Sequence, residues 1–324
     1  MRVAALRRRA APTGGRSVVG RPGGGEYRPV ASEREHPRRV PRTDRGEEAV
    51  MSPAMERVSV NGAELEVAVE GSGETVVFVH GAGIADSYLP VATDPIVRDH
   101  YRTVRYRRRG YGGSSPVQGT VTVAEHADDC RALLDQLGIR QAHVVGHSYG
   151  GAVALQLAVD APEVVTTLTV FEPGLLAVPS GPSFFERVAP IFQMYERGER
   201  VAAVDAFMTT VAGADWRSNV DRTVPGGAAQ AEKDAATLFE SDLPSVGAWR
   251  FDPEQAASIR QPVLYVLGSD TLPVIREGRD LLRSWLFRME DAVLTDATHL
   301  LQMEQPAAAA AALVDFLKRH PAAA

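Results

Sequence analysis

The chain has 324 residues, 44% of them hydrophobic, which is enough for one buried α/β core with an inserted segment. Its formal net charge is −6, but residues 1–50 hold twelve arginines against six acidic residues, so the other 274 residues carry −12. Because that acidic part repels phosphates and no apolar run reaches membrane-spanning length, neither nucleic acid nor a membrane is an expected partner.

The first 54 residues are rich in Arg, Pro and Gly and show no apolar periodicity. Such a segment buries too little surface to offset its ordering entropy, so we expect a disordered extension. An arginine-rich transit peptide is one interpretation. We favour the alternative that translation begins at Met51 or Met55 and that the upstream stretch is an over-extended reading of the gene.

The sheet is predicted to open with an antiparallel hairpin, because apolar and polar residues alternate on both sides of Asn61-Gly62. Strands and helical segments then alternate, which predicts an α/β fold with a mostly parallel eight-stranded sheet and helices on both faces. This core is assigned to residues 55–174 and 260–324. The strands after the hairpin are expected at residues 76–79, 103–106, 143–145, 167–171, 263–267 and 288–294.

Between the two core segments, residues 175–259 lose the alternation and show helical periodicity, which predicts a helical cap insertion. Its apolar stripes fit either internal packing or the lining of an acyl pocket. The best candidates for pocket residues are large and lie near turn signals, with His80 added from the core. These candidates from the insertion are Trp216, Phe239 and Trp249.

Gly146-His147-Ser148-Tyr149-Gly150 lies between the apolar strand at residues 142–145 and the helix-forming residues 151–157. A serine in such a strand–turn–helix exposes its hydroxyl on a strained elbow, and a Cβ at either flanking position would crowd the turn. Ser148 is therefore the candidate nucleophile. A purely structural serine would leave the two flanking glycines unexplained.

A serine nucleophile needs a base and an acid that orients the base. His299 follows the last predicted strand and precedes the final helix, which makes it the candidate base. Asp270 ends the strand before it and is the favoured acid, while Glu172, at the end of the sixth strand, is the alternative. The favoured chain order is Ser148, Asp270, His299.

The oxyanion donors are predicted at His80-Gly81-Ala82-Gly83, which follows the buried strand 75–79. We expect the amides of Ala82 and Tyr149 to hold the oxygen of a tetrahedral intermediate. His80 and His147 are expected to shape the loop and the elbow. Neither histidine lies in a metal-ligand spacing, and the chemistry needs no metal or other cofactor.

Together these motifs resemble the α/β-hydrolase superfamily over residues 55–322, and in particular its branch of serine esterases, cofactor-free haloperoxidases and C–C hydrolases. Arg107 to Ser115 is similar to the family's loop after the fourth strand, and Glu304-Gln305-Pro306 is similar to the start of its last helix. The family usually has an aspartate near the start of the former loop. Tyr106 and Arg107 stand there in this chain.

The resemblance implies a serine hydrolase that acts on a small carboxylic ester or related acyl substrate through an acyl-enzyme. C–C bond hydrolysis and a non-catalytic ligand receptor with the same fold stay open as alternatives. A carboxylate at position 148 would favour haloalkane or epoxide chemistry, and Ser148 supplies none. The lone Cys130 suits a reducing, cytoplasmic location and is expected to be a buried thiol. The chain is expected to be a monomer or homodimer.

Overall fold

The computed structural model describes residues 55–286 and 288–322, so the expectations for residues 1–54 lie outside the described part. The strands form one sheet with the order β1-β2-β4-β3-β5-β6-β7-β8. Their bounds are β1 Glu56–Val60, β2 Ala63–Glu70, β3 Thr75–Val79, β4 Arg102–Arg107, β5 Ala142–His147, β6 Val165–Phe171, β7 Val263–Gly268 and β8 Glu290–Leu294.

The helices fall into two groups, one that flanks the sheet and one that lies between β6 and β7. The flanking helices are α1 Leu89–Ala92, α2 Pro95–Arg98, α3 Val123–Gln136, α4 Tyr149–Asp160, α11 Pro273–Trp285, α12 Leu301–Glu304 and α13 Pro306–Arg319, with a 3₁₀ turn at Pro162–Val164. The others are α5 Gly181–Glu196, α6 Arg200–Ala212, α7 Trp216–Thr223, α8 Gly227–Lys233, α9 Leu243–Ala248 and α10 Pro253–Ser258, with a π-helix at Thr237–Asp242.

The predicted sheet is confirmed: β1 pairs with β2 and β2 with β4 in antiparallel fashion, and every other pairing is parallel. The central strands β3 and β5 are buried at every residue, as expected for parallel strands that are covered on both faces. The hairpin turn at Asn61 and Gly62 has φ angles of 47° and 76°. Two positive φ angles are typical of the type I′ turn that Asn-Gly favours.

Helices cover both faces of the sheet. Since successive residues of a strand point to opposite sides, neighbouring residues pack against different helices. On β3, Val77 packs into a cluster with α3 and α4, whereas Phe78 packs into a second cluster with α1 and α13. The helices of Gly181–Ser258 are here termed the helical insertion. Helices α5 to α8 and the π-helix form an apolar cluster that also takes in Ile84, Val274 and Leu300, whereas α9 and α10 add Val246 and Ala256 to the cluster with α3 and α4. The insertion therefore packs against the loops at the end of the sheet that carries Ser148 and His299.

Candidate active site

Ser148 forms a sharp turn between β5 and α4, with φ of 52° and ψ of −116°. A positive φ is rare for a residue with a side chain and marks local strain. The flanking glycines permit this turn, because a Cβ on Gly146 would lie 2.2 Å from the Gly150 carbonyl oxygen and one on Gly150 would lie 2.1 Å from that of Val79. The elbow expected from the sequence is present.

A continuous chain of hydrogen bonds joins Ser148, His299 and Glu172. The Ser148 Oγ lies 2.9 Å from His299 Nε2, and His299 Nδ1 lies 2.6 Å from Glu172 Oε2. A carboxylate only accepts, so Nδ1 donates and Nε2 is left free to accept the serine proton. A hydroxyl, an imidazole and a carboxylate in this order can generate a serine nucleophile at neutral pH.

The side chain of Glu172 is fully buried and held at both oxygens. Oε1 accepts from the amide of Gly268 at 2.7 Å, and Oε2 also accepts from the hydroxyl of Thr271 at 2.8 Å. Burial of a carboxylate is costly unless its oxygens are satisfied by hydrogen bonds. The three donors meet this requirement, so the carboxylate is fixed in one orientation toward His299.

Asp270 does not occupy the place predicted for it, and the favoured acid is therefore a wrong prediction. Its amide donates to the carbonyl of Ala297 at 2.9 Å, which ties its backbone to the loop that carries His299. Its side chain is exposed and accepts from the hydroxyl of Ser269 at 3.0 Å. Glu172, the alternative, is the carboxylate that contacts His299.

The cavity beside Ser148 and His299 is lined almost entirely by apolar side chains. Part of the cavity opens to solvent. Ala82 and Tyr149 lie in the same lining as the serine, where the oxyanion donors were expected. The remaining walls are His147, Gly174, Leu176, Phe184, Phe207, Met208, Val211, Leu243, Val246, Leu272, Val274, Ile275 and Leu300.

None of the four predicted pocket residues lines this cavity. Trp216 is fully buried and donates to Asp205, and Phe239 packs against other aromatic rings of the insertion. Trp249 lines a separate groove and donates to Gln156. His80 is buried behind the loop. The large side chains near turns thus pack within the insertion or against the core, whereas the helical stripes with Phe184, Phe207, Met208 and Val211 provide the walls.

His80 braces the loop on which Ala82 lies. Its Nδ1 donates to the Gly81 carbonyl at 2.7 Å, and its Nε2 accepts from the Arg108 amide at 3.0 Å. Burial, together with the charge of Arg108, holds the pKa of His80 well below its ordinary value. The neutral ring, with one donor and one acceptor, matches these two partners.

His147 braces the opposite side of the site. Its Nε2 donates to the carbonyl of His299 at 2.8 Å, and the two rings lie 4.8 Å apart. Burial, reinforced by His299, holds the pKa of His147 well below its ordinary value. A neutral His147 therefore fixes the backbone of His299 without adding a charge beside it.

Arg107, which stands where the resembled family has an aspartate, forms ion pairs with two acidic residues. The guanidinium of Arg107 pairs with Glu66 on β2 and with Asp86 in the loop after β3, each at 2.7 Å. The acidic partners thus stand on the neighbouring segments, and the basic residue stands where the resembled family has its aspartate. These ion pairs tie the end of β4 to β2 and to the loop after β3.

Cys130 is fully buried, and burial raises the pKa of its thiol to about 12. This agrees with an inert core thiol. Within residues 55–286 and 288–322, no group of three or more His, Cys, Asp and Glu side chains is arranged to hold a metal ion. In that same part of the chain, no helix has the length and apolar character needed to cross a bilayer.

Solved structures with this fold include an enol-lactonase from Burkholderia xenovorans, with a TM-score of 0.62 and 22% identity over 81% of this chain and 100% of the other. A thermophilic esterase from Thermogutta terrifontis has a TM-score of 0.68 and 22% identity over 82% of this chain and 100% of the other. At these identities the likeness concerns the fold alone.

Two curated relatives match over part of their length. A fluoroacetate dehalogenase from Burkholderia sp. is 29% identical over 63% of this chain and 62% of its own. The dihydrolipoyllysine-residue acetyltransferase component of the acetoin cleaving system of Cupriavidus necator is 42% identical over 41% of this chain and 36% of its own. The chain thus spans less than two thirds of either relative.

A family-level match covers most of the described chain. Residues 76–313 match the Alpha/beta hydrolase family. This range includes the strained serine turn, the carboxylate after β6 and the histidine before α12. The chain therefore belongs to the alpha/beta hydrolase family.

Proposed function

We propose that the chain is a serine hydrolase that cleaves a small carboxylic ester or a related acyl substrate through an acyl-enzyme. The hydrogen-bonded chain from Ser148 through His299 to Glu172 is the observation that carries this proposal. Membership of a family of hydrolases supports it, and esterases and a lactonase are among the structures with the same fold. Ser148 offers no carboxylate for dehalogenation, although one relative is a dehalogenase.

In the first half-reaction, Ser148 Oγ attacks the substrate carbonyl while His299 Nε2 takes the hydroxyl proton. Glu172 holds the tautomer of the imidazole and stabilises the imidazolium that forms. The amides of Ala82 and Tyr149 hold the oxyanion, and each such donor is worth roughly 3 kcal/mol in the transition state. His299 then protonates the leaving alkoxide.

In the second half-reaction, water attacks the acyl-serine as His299 Nε2 accepts a proton from it. Collapse of the second tetrahedral intermediate returns the proton to Ser148 Oγ and releases the acid. Tautomer control matters in both halves, because Nε2 must first accept a proton and then donate it. The bond between His299 Nδ1 and Glu172 supplies that control.

The lining of the cavity supports a neutral, apolar acyl group. Among the residues that the structure describes, the lining includes no arginine or lysine, and its polar side chains are those of Ser148, Tyr149 and the two histidines. C–C hydrolysis of a keto acid calls for a cation that grips the carboxylate, so the lining supports ester cleavage over this alternative. The intact hydrogen-bonded chain likewise supports catalysis over a receptor role.

The test is hydrolysis of p-nitrophenyl esters whose acyl groups run from acetyl to decanoyl, with a succinyl monoester as the anionic comparison. We expect Ser148→Ala to lose at least about a thousandfold in kcat/KM, and the neutral butyryl ester to exceed the succinyl ester by about tenfold or more. Ser258→Ala, on an exposed serine at the end of α10, is the matched control and should keep wild-type rates. Equal rates for Ser148→Ala, or a preference for the anion, would contradict the proposal.

A further inference from the structure

A buried ion pair joins the helical insertion to the loop after β4. The side chains of Arg108 and Asp242 are both fully buried, with Nη2–Oδ2 at 2.6 Å and Nη1–Oδ1 at 3.0 Å. Two charges removed from water are costly, and the pairing offsets that cost only when every donor is satisfied. Apolar residues would fill such a space at least as favourably, so the pair calls for a further explanation.

Other donors of Arg108 bind the backbone of the loop that carries Ala82, and Nη1 also lies 3.3 Å from His126 Nε2. Nη2 donates to the Gly81 carbonyl at 3.2 Å and Nε donates to the His80 carbonyl at 3.4 Å. The Gly81 carbonyl and the Ala82 N–H belong to one planar peptide unit and point in opposite directions. A donor that fixes this carbonyl therefore also fixes the direction of the Ala82 N–H.

The peptide unit between Ala82 and Gly83 is also held, through Tyr111, by Asp242. Tyr111 donates its hydroxyl proton to Asp242 Oδ2 at 2.7 Å and accepts from the Gly83 amide at 2.9 Å. The Gly83 amide shares its peptide unit with the Ala82 carbonyl. Both peptide units around Ala82 are thus held by side chains whose common anchor is the Asp242 carboxylate.

Tyr149, whose amide is the other proposed oxyanion donor, also contacts Arg108 of this ion pair. The guanidinium of Arg108 lies over the ring of Tyr149, with 4.3 Å between Cζ and the ring centroid. The Tyr149 hydroxyl lies 2.9 Å from Ser245 Oγ, which belongs to the insertion three residues after Asp242. Arg108 therefore contacts both segments from which an oxyanion would be held.

Asp242 ends the π-helix Thr237–Asp242, at the junction with α9. Short π-helical stretches within helical segments are rare and occur frequently at functional sites. At this junction Asp242 and Ser245 both contact partners from the core. The acceptor that anchors the oxyanion loop is thus supplied by the insertion.

From these contacts we infer that Arg108 and Asp242 are positioning residues, which couple the seating of the helical insertion to the geometry of the oxyanion donors. The inference rests on the proposed serine hydrolase function. Its consequence is that acyl transfer depends on a carboxylate that touches neither substrate nor nucleophile. Loss of the pair should raise the barrier to chemistry and leave ground-state binding of the ester in place.

The test is the double variant Arg108→Met/Asp242→Leu, which removes both charges and keeps the volume apolar. Replacing both charges avoids an unpaired buried ion, but the Tyr111 hydroxyl and the His80 carbonyl lose a partner, so we expect a folded protein with a melting temperature moderately below that of the wild type. We expect kcat to fall by about tenfold to a hundredfold, while KM changes by less than about threefold. The inhibition constant of an aryl trifluoromethyl ketone, which forms a tetrahedral adduct, should rise by the same factor as kcat falls.

The matched control is Arg109→Met/Asp129→Leu. This neighbouring pair is also bidentate, at 2.6 and 2.8 Å, but joins the same loop to α3 instead of the insertion. Its kcat should stay within about twofold of wild type. A purely structural role would lower stability in both double variants and spare kcat in both folded proteins.

Wild-type kcat in the folded Arg108→Met/Asp242→Leu variant overturns the inference. If that variant does not fold, Tyr111→Phe decides, because it deletes only the hydroxyl between Gly83 and Asp242. A lower kcat with unchanged KM supports the coupling, and an unchanged kcat overturns it. If the wild type itself shows no turnover that depends on Ser148, the proposed function fails instead.

Discussion

At the scale of single residues, Glu172 has a buried side chain, a strained backbone and two carboxylate oxygens that both accept hydrogen bonds. It follows β6 directly, with φ of 45°, in the left-handed region that residues with side chains seldom adopt. Its two oxygens accept from the Gly268 amide, the Thr271 hydroxyl and His299. Strain of this kind persists where the surroundings fix the backbone and is often found at functional sites.

Glu172 and Asp270 follow the carboxyl ends of β6 and β7, which are neighbouring parallel strands. Both residues therefore lie at the same end of the sheet. The sequence predicts that both carboxylates lie at this end of the sheet, but it does not show which of them faces His299. The choice depends on the Asp270 amide, which binds Ala297 and leaves the Asp270 side chain in solvent. That contact joins residues from two loops and has no local signature.

We predict that Glu172→Gln lowers kcat by up to about ten-thousandfold, since an amide in place of the carboxylate disfavours the tautomer that the serine needs. Asp270→Asn is the matched control and should keep kcat within about twofold, because its side chain is exposed. The measurement is kcat for one p-nitrophenyl ester in three purified proteins. The reverse ranking of the two variants would restore Asp270 as the acid.

At the scale of elements, the sequence predicts what local pattern and backbone sterics determine. The type I′ turn follows from the positive φ that Asn61 and Gly62 adopt, and the elbow around Ser148 follows from flanking glycines that leave no room for a Cβ. The order of strands and helices follows from the spacing of apolar residues. The insertion's helices also follow from their periodicity. Their orientation does not, because an apolar stripe looks the same whether it faces other helices or a cavity.

Contacts between distant elements escaped sequence reasoning. Arg108 and Asp242 lie 134 positions apart and come from a loop after β4 and from a π-helix. Neither position has a periodic or turn signal, and a lone Asp in a helical segment is typical of a solvated surface. Only the packed structure brings the pair together behind the loop of Ala82.

At the scale of the whole molecule, the neutral histidines behind the site make stability depend on pH. Burial lowers the pKa of His80, His126 and His147 well below the ordinary value of about 6.5, and nearby charges of Arg108 or His299 lower it further. The unfolded chain binds protons at these positions as the pH falls below about 6.5, whereas the folded chain does not. Acidification therefore stabilises the unfolded state relative to the folded state.

We predict that the free energy of unfolding is level above about pH 6.5 with respect to these histidines and falls below it, by up to about 1.4 kcal/mol per pH unit for each. The measurement is urea unfolding between pH 7.5 and 5. His126→Asn removes one such group without touching Ser148 or His299, so its slope below pH 6.5 should be flatter by one proton. A constant difference between wild type and variant over the whole range would show that His126 takes up its proton in the folded state as well.

The central claim is that Ser148 is the activated nucleophile, and covalent labelling tests it most directly. Wild-type protein treated with a fluorophosphonate should gain the mass of one adduct, and peptide mapping should place that adduct on Ser148. The Ser148→Ala variant should fold with the wild-type melting temperature and stay unlabelled, because the hydroxyl that His299 activates is gone. An adduct on folded Ser148→Ala, or a wild-type adduct that maps to another residue, would contradict the account.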